Sequence, residues 1–256
     1  RQVTGGVAHL TMNAPERLNA LSDEMLAALT DTLDGIATDV SVRAVVLSGA
    51  GKAFCAGHDL KQMTAGRQAE DGGRAYFTDL FDRCTAMMTR IRTLPQPVIA
   101  QVHGIATAAG CQLVATCDLA VAAHGTRFGV NGVNIGLFCS TPMVPLSRNI
   151  PRKQAVEKLT TGDFIEAAQA IDLGLINRAV APADLAAETQ ALAEQIAAKL
   201  ATAVKIGKSA FYDQLEMPVA EAYQMTRDAM VENMMHRDTE EGINAFIEKR
   251  SPTWTQ

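Results

Sequence analysis

Three short apolar runs set the fold class of this chain: "VRAVVLSG" (42–49), "PVIAQVHG" (97–104) and "DLAVAA" (118–123). They lack the apolar–polar alternation of a half-solvated strand, so they read as strands covered on both faces. Helical stretches stand between them. "SDEMLAALTDTLDGIATD" (22–39) carries Met25, Leu26, Leu29, Leu33 and Ile36 at helical spacing behind Ser22, a good N-cap. A second stretch covers about 75–92 and is closed by Pro95 and Pro97, and a third begins near Thr107. "VAHLTMN" (7–13) reads as a further strand ended by Pro15, and "FCAGHDLKQM" (54–63) as a loop. Strands that alternate with helices pair in parallel, which makes the chain α/β.

From about Arg152 the character changes. "RKQAVEKLTTGDFIEAAQAIDLGLI" and everything after Pro182 read as alanine-rich helices, with a boundary near residues 195–200. The expected organisation is a core over 1–195 and a helical region over 196–256, with no linker long enough to free a second domain.

Composition excludes several function classes. The 256 residues are 48% hydrophobic and 20% charged, as in an ordinary globular protein. A net charge of −5 gives no basic field for nucleic acid, and no apolar run approaches the length of a membrane span. Five scattered cysteines (Cys55, Cys84, Cys111, Cys117, Cys139) form no CxxC pair and read as reduced, buried thiols. The five histidines show no metal-ligand spacing, so no metal site is expected. The expected location is cytoplasmic, or the mitochondrial matrix if the source is eukaryotic.

Two loops carry candidate chemistry. "AFCAGHDL" (53–60) follows a strand, and Gly57 permits backbone angles that turn neighbouring N–H groups toward a ligand. "TAAGCQL" (107–113) follows the next strand and starts a helix, whose first amides lack intrahelical partners. Two such strand-end loops could hold one carbonyl oxygen between them. The bland alternative is a pair of tight turns with small residues for packing. Neither loop is a P-loop or a dinucleotide fingerprint.

"NAPERLNAL" (13–21), "GKAFCAGHDLKQM" (51–63), "VHGIATAAGCQLVATCDLAVA" (102–122), "LTTGDFIEAAQAIDLGLINRAV" (159–180) and "EEGINAFIEKRSP" (240–252) occur in that order over nearly the whole chain. Together they resemble the enoyl-CoA hydratase/isomerase (crotonase) family. The resemblance implies a crotonase-type spiral of ββα turns with a helical C-terminal trimerisation region, a homotrimer or hexamer, and an acyl-CoA thioester as substrate. Coenzyme A then enters as part of the substrate, with no tightly bound cofactor. By position the oxyanion donors would be the backbone N–H groups of His58 and Ala109; the family usually has glycine at the latter. Arg17 and Leu18 would lie along coenzyme A, and Ala56, Asp59, Leu60 and Lys61 would border its path. Gly110 and Phe138 complete the expected substrate contacts. Arg17 and Lys61 are otherwise ordinary solvated charges.

The hydratases of the family use two glutamates to hold and activate water. Here the first position is Gln112 and the second is Gly132. An amide can position a water but cannot abstract a proton near neutral pH. Hydration of an ordinary 2-enoyl-CoA is therefore expected to be weak or absent. Three substitutes are open. Bicarbonate could occupy the space that Gly132 leaves, with Asn131 and Gln112 as donors, as in a family branch that also lacks the second glutamate. Decarboxylation of a malonyl-type thioester needs no base. Thioester hydrolysis could use Cys139, Ser140 or Thr141, although each of these residues reads more simply as part of a buried turn before the helix at Pro142, with Ser140 or Thr141 as its cap. The His58 imidazole could serve as acid or base, or simply pack beside its loop. A non-catalytic acyl-CoA-binding protein is the remaining alternative.

Overall fold

The computed structural model describes residues 1–255. In chain order the elements are β1 (Gln2–Thr4), β2 (Val7–Met12), α1 (Asp23–Ala37), β3 (Ala44–Gly49), α2 (Leu60–Gly66), α3 (Arg74–Thr93), β4 (Val98–Val102), β5 (Ile105–Thr107), α4 (Ala109–Thr116), β6 (Leu119–Ala123) and β7 (Arg127–Gly129). They continue with α5 (Met143–Asn149), α6 (Arg152–Thr161), β8 (Ile165–Glu166), α7 (Ala167–Asp172), β9 (Arg178–Val180), α8 (Leu185–Ala197), α9 (Ala201–Gln214), α10 (Val219–Met234) and α11 (Arg237–Ile247).

A six-stranded sheet runs in the order β1-β2-β3-β4-β6-β9, with only the β1–β2 pair antiparallel. A second, smaller sheet runs β5-β7-β8. Each turn of the chain places one strand in the large sheet, a second extended segment beside it, and then a helix. β4 and β5 lead into α4, and β6 and β7 lead into a 3-10 turn and α5. Isolated bridges continue the pattern upstream, where Cys55 pairs with Ala106 and Leu21 with His58. This is the spiral of ββα turns expected above.

The central strands β3, β4 and β6 are covered on both faces, which is why they are apolar almost throughout, whereas the edge strand β1 is exposed. Val7, Ala44, Val46, Ile99, Val121 and Ala123 face Leu185 and Ala193 of α8. The alternate residues, among them Ala8, Leu10, Val45, Leu47, Val98 and Ala100, join the larger core with Leu26, Leu33, Leu80 and Met87 of α1 and α3. Ser22 caps α1, its hydroxyl accepting from Met25 N at 3.2 Å.

Several elements differ from the sequence reading. Residues 60–63 belong to α2 rather than a loop, because Asp59 accepts from the N–H groups of Lys61 and Gln62 and starts a helix. Ile105–Thr107 is a strand, and the helix after it begins at Ala109, not Thr107. The stretch after Arg152 contains β8 and β9, two and three residues long, too short to show a period. No side chain caps α5; backbone bonds from Met143 N to Cys139 O and from Val144 N to Thr141 O make that turn.

α8 crosses the sheet, and the chain then turns at Ala198–Leu200 into α9, α10 and α11. α9 is fastened to the core by a buried ion pair. Lys208 Nζ donates to Asp118 Oδ2 at 2.6 Å and to the carbonyls of Ile91 and Gln96 at 3.0 Å. Tyr212 donates to the other Asp118 oxygen at 2.8 Å, and Val98 N donates to Asp118 Oδ2. Beyond this anchor α10 and α11 carry exposed large apolar side chains, including Tyr223, Met230, Met234, Phe246 and Ile247.

Candidate active site

The site starts from a clamp between two loops. Leu18 and Asn19 both adopt left-handed backbone angles, φ 52° and 53°. Asparagine tolerates that region better than most residues. Asn19 is fully buried, and its Nδ2 donates to the carbonyls of Ala50 and Ala53 at 2.8 Å while its Oδ1 accepts from Ala14 N. Ala56 N donates to Leu18 O at 3.0 Å and Leu21 N to Gly57 O at 2.7 Å. Arg17 reaches the Asp59 carboxylate at 3.4 Å. Segment 14–21 is thus zipped to segment 50–59.

The second loop closes on the first through backbone contact. Thr107 N donates to Cys55 O at 3.0 Å. A Cβ at Gly110 would meet that same carbonyl at 2.2 Å, so only glycine fits. Gly57 has φ 90°, and a Cβ there would lie 3.0 Å from Ala108 Cβ and 3.2 Å from Ala109 N. The residue before His58 therefore stands against the first amide of α4. Neither His58 N nor Ala109 N donates to any partner among the described residues. Ala108, the N-cap of α4, is held at φ 50°, ψ −119°, a region that only glycine adopts without strain. Strain of this kind persists where surrounding structure imposes it, and here it sets the direction of the following N–H. The two expected oxyanion donors lie on loops in direct contact, with the positive end of α4 behind one of them.

The acid positions are different. Gln112 lies in the second turn of α4, 5% exposed, and its Oε1 has no partner. Gly132 is the one buried residue of a 3-10 turn (Asn131–Ile135). A Cβ there would meet Leu137 O at 2.3 Å and Cys139 Sγ at 2.8 Å. A carbonyl oxygen and a sulfur thus occupy the position that a Cβ would take at Gly132. Asn131 is also engaged, accepting from Thr107 Oγ1 at 2.5 Å.

The nucleophile candidates fare no better. The Cys139 thiol accepts from Gly132 N at 3.3 Å, and burial pushes its pKa up. Cys55 and Cys111 are held at about 12 for the same reason, and all five cysteines are free and buried. Ser140 is exposed, and its hydroxyl donates to Phe138 O at 3.4 Å with no histidine beside it among the described residues. The His58 ring packs edge-on against Phe81 at 5.6 Å, and neither ring nitrogen has a partner. Burial lowers its pKa, so the imidazole is neutral near pH 7. No cluster of three metal-binding side chains exists among the described residues.

Of the expected substrate contacts, Leu60 lines a cleft of about 440 Å³ between α2, α3 and the turn after Gly132. Met63, Thr64, Arg67, Phe77, Phe81, Ile135, Gly136 and Leu137 complete it. Phe138, 43% exposed, does not line it; Leu137 does. The Asp59 carboxylate is committed to the α2 cap and to Arg17. Lys61 is exposed. Sequence reading missed the cleft because it took residues 60–63 as a loop. The spacing of Leu60, Met63, Thr64 and Arg67 was the available signal.

A family model described as enoyl-CoA hydratase/isomerase matches residues 2–256. The chain is 44% identical over 250 residues to the human enoyl-CoA hydratase domain-containing protein 3, mitochondrial, covering 98% of this chain and 81% of that protein. The crystal structure of an enoyl-CoA hydratase from Mycobacterium smegmatis superposes with a TM-score of 0.96 at 53% identity, covering 100% of this chain and 98% of that one. The crystal structure of the human domain-containing protein 3 superposes at 0.94 with 43% identity, covering 99% and 98%.

Proposed function

Because the chain belongs to the enoyl-CoA hydratase/isomerase family, we propose that it is an acyl-CoA thioester enzyme that stabilises an enolate with the N–H groups of His58 and Ala109. The observation that carries this reading is the pair of unpartnered donors on two loops locked together through Gly57 and Gly110. One such donor is worth roughly a hundredfold or more in rate. Arg17, Leu18, Ala56 and Lys61 are the proposed coenzyme A contacts, and coenzyme A is the only cofactor moiety the reading needs.

Gln112 and Gly132 argue against hydration by paired carboxylates. The carbonyl of Leu137 beside Gly132 weighs against bicarbonate there, because it presents negative charge to an anion. The chemistry that suits the site generates its enolate without a protein base. In decarboxylation of a malonyl-type thioester, the bond from the α-carbon to the carboxylate breaks and CO2 leaves. The electron pair moves onto the thioester oxygen, which the two N–H groups hold, and a proton from solvent then completes the α-carbon. The absence of both carboxylates also favours a second reading, a non-catalytic acyl-CoA-binding protein on the same fold.

Mass-spectrometric turnover of crotonyl-, 3-enoyl-, malonyl-type and saturated acyl-CoA, each with and without bicarbonate, tests these readings. Turnover of a malonyl-type thioester without bicarbonate is the expected result. Crotonyl-CoA hydration at ordinary enzymatic rates would overturn the reading of Gln112 and Gly132. Binding with no turnover of any member would favour the second reading.

The apolar residues left exposed on α10 and α11 support a homotrimer or hexamer formed through residues 196–256, the remainder being the catalytic core. Sedimentation at micromolar concentration should show no monomer. The human relative is mitochondrial by name, and five reduced cysteines suit the matrix or a cytoplasm alike.

A further inference from the structure

The cleft beside α2 is lined by one cation, the exposed Arg67. Leu60, Met63, Thr64 and Arg67 are spaced i, i+3, i+4 and i+7, so they form one face of α2, and all four line the cleft. The helix starts two residues after the oxyanion donor His58 and points away from it. Over seven residues the face runs about 10 Å. Opposite it stand Phe77 and Phe81 from α3, with Ile135 and Leu137 closing the third side.

Arg67 is the only charged side chain in this lining. Its guanidinium stacks on Phe77 at 5.4 Å, which fixes its direction without using its N–H groups. No carboxylate pairs with it among the described residues. The neighbouring Asp71 is occupied, accepting from Gly73 N at 2.9 Å and Ala75 N at 2.8 Å. Thr64 has already given its hydroxyl proton to Leu60 O at 2.7 Å, so it offers the cleft no donor. A cation just past the end of a helix also gains from the helix dipole. That alone does not require it to line a pocket or to lie on an aromatic ring.

We propose that Arg67 reads a carboxylate at the distal end of the acyl chain, making the preferred substrate class a dicarboxylic acyl-CoA of middle length. This rests on the acyl-CoA reading above and extends it. With the thioester oxygen at His58 N, the chain follows the apolar face of α2 and its end arrives at the guanidinium. An extended chain advances about 1.3 Å per carbon, so a path of this length takes about eight carbons. The planar fork of arginine suits a carboxylate, and a pair formed at the mouth of an apolar cleft is screened less than one in open water.

Calorimetric titration with suberyl-CoA and octanoyl-CoA, which have the same chain length with and without the terminal carboxylate, tests the proposal. The wild-type chain should bind suberyl-CoA about tenfold more tightly, a difference of about 1.4 kcal/mol. Arg67→Leu should abolish that preference, and Arg67→Lys should keep part of it. Equal affinity for the two thioesters in the wild type, or a preference that survives Arg67→Leu, would overturn the carboxylate assignment and leave the acyl-CoA reading intact. No binding of either thioester would overturn both.

Discussion

The two halves of the site have been treated differently. On one side, the loops at 53–59 and 107–112 hold two amides without partners at visible cost: a strained Ala108 and two glycines whose Cβ would crowd the facing loop. On the other, the turn at 131–141 packs against itself, with Leu137 O and Cys139 Sγ against Gly132. One half leaves its donors free and the other satisfies its own backbone. On the function proposed above, charge stabilisation and proton transfer are separable parts of this architecture.

The most severe way to break the first half is Gly110→Ala. Its Cβ would fall 2.2 Å from Cys55 O, between two backbones that cannot yield. A loss of at least 100-fold in turnover, with about 3 kcal/mol of stability, is expected from steady-state kinetics and denaturant unfolding. The second half should resist conversion. Gly132→Glu drives its side chain into Leu137 O and Cys139 Sγ, so it should cost about 1–3 kcal/mol and give no gain in crotonyl-CoA hydration, even combined with Gln112→Glu. A double variant that hydrates crotonyl-CoA efficiently would show the two halves to be equivalent after all.

Ala108→Gly sharpens the contrast in the opposite direction. Relief of the φ 50° strain outweighs the flexibility of glycine by about 1 kcal/mol, which raises Tm by about 2–4 °C. Turnover should fall, because the strain is what aims Ala109 N. The smallest effect concerns His58. Its folded pKa is lowered by burial, so the unfolded chain binds more protons between that value and 6.5. Stability is then fully present above pH 6.5 and declines as pH falls through that window. His58→Leu should flatten the pH dependence of Tm between pH 7 and 5, and an unchanged slope would sink the assignment.

The strand–helix alternation was legible because burial on both faces leaves a compositional mark on β3, β4 and β6. Helix α1 was legible because Ser22 and its apolar spacing agree. The short strands β5, β8 and β9 were not, since two or three residues carry no period. The oxyanion loops could be picked out by their small residues, yet the strain at Ala108 could not, because alanine gives no hint of a positive φ. The surroundings of Gly132 were hidden for a related reason. A glycine in sequence does not say what lies against it, and here a carbonyl and a thiol stand where a Cβ would be. Arg67 was hidden by the placement of α2: an arginine in a loop says nothing, and the same residue on the fourth position of a helical face has an address.

The Asp118–Lys208–Tyr212 anchor ties together residues 90 positions apart in the chain. Asp118 also accepts from Val98 N, at the pairing of β4 and β6, so one carboxylate serves the sheet and the C-terminal arm at once. Removing Lys208 from the folded chain strands that carboxylate at a site only 12% exposed, at a cost of about 3–5 kcal/mol. The arm is thus a structural part of the sheet it leaves, and damage at either end of the pair is felt at the other.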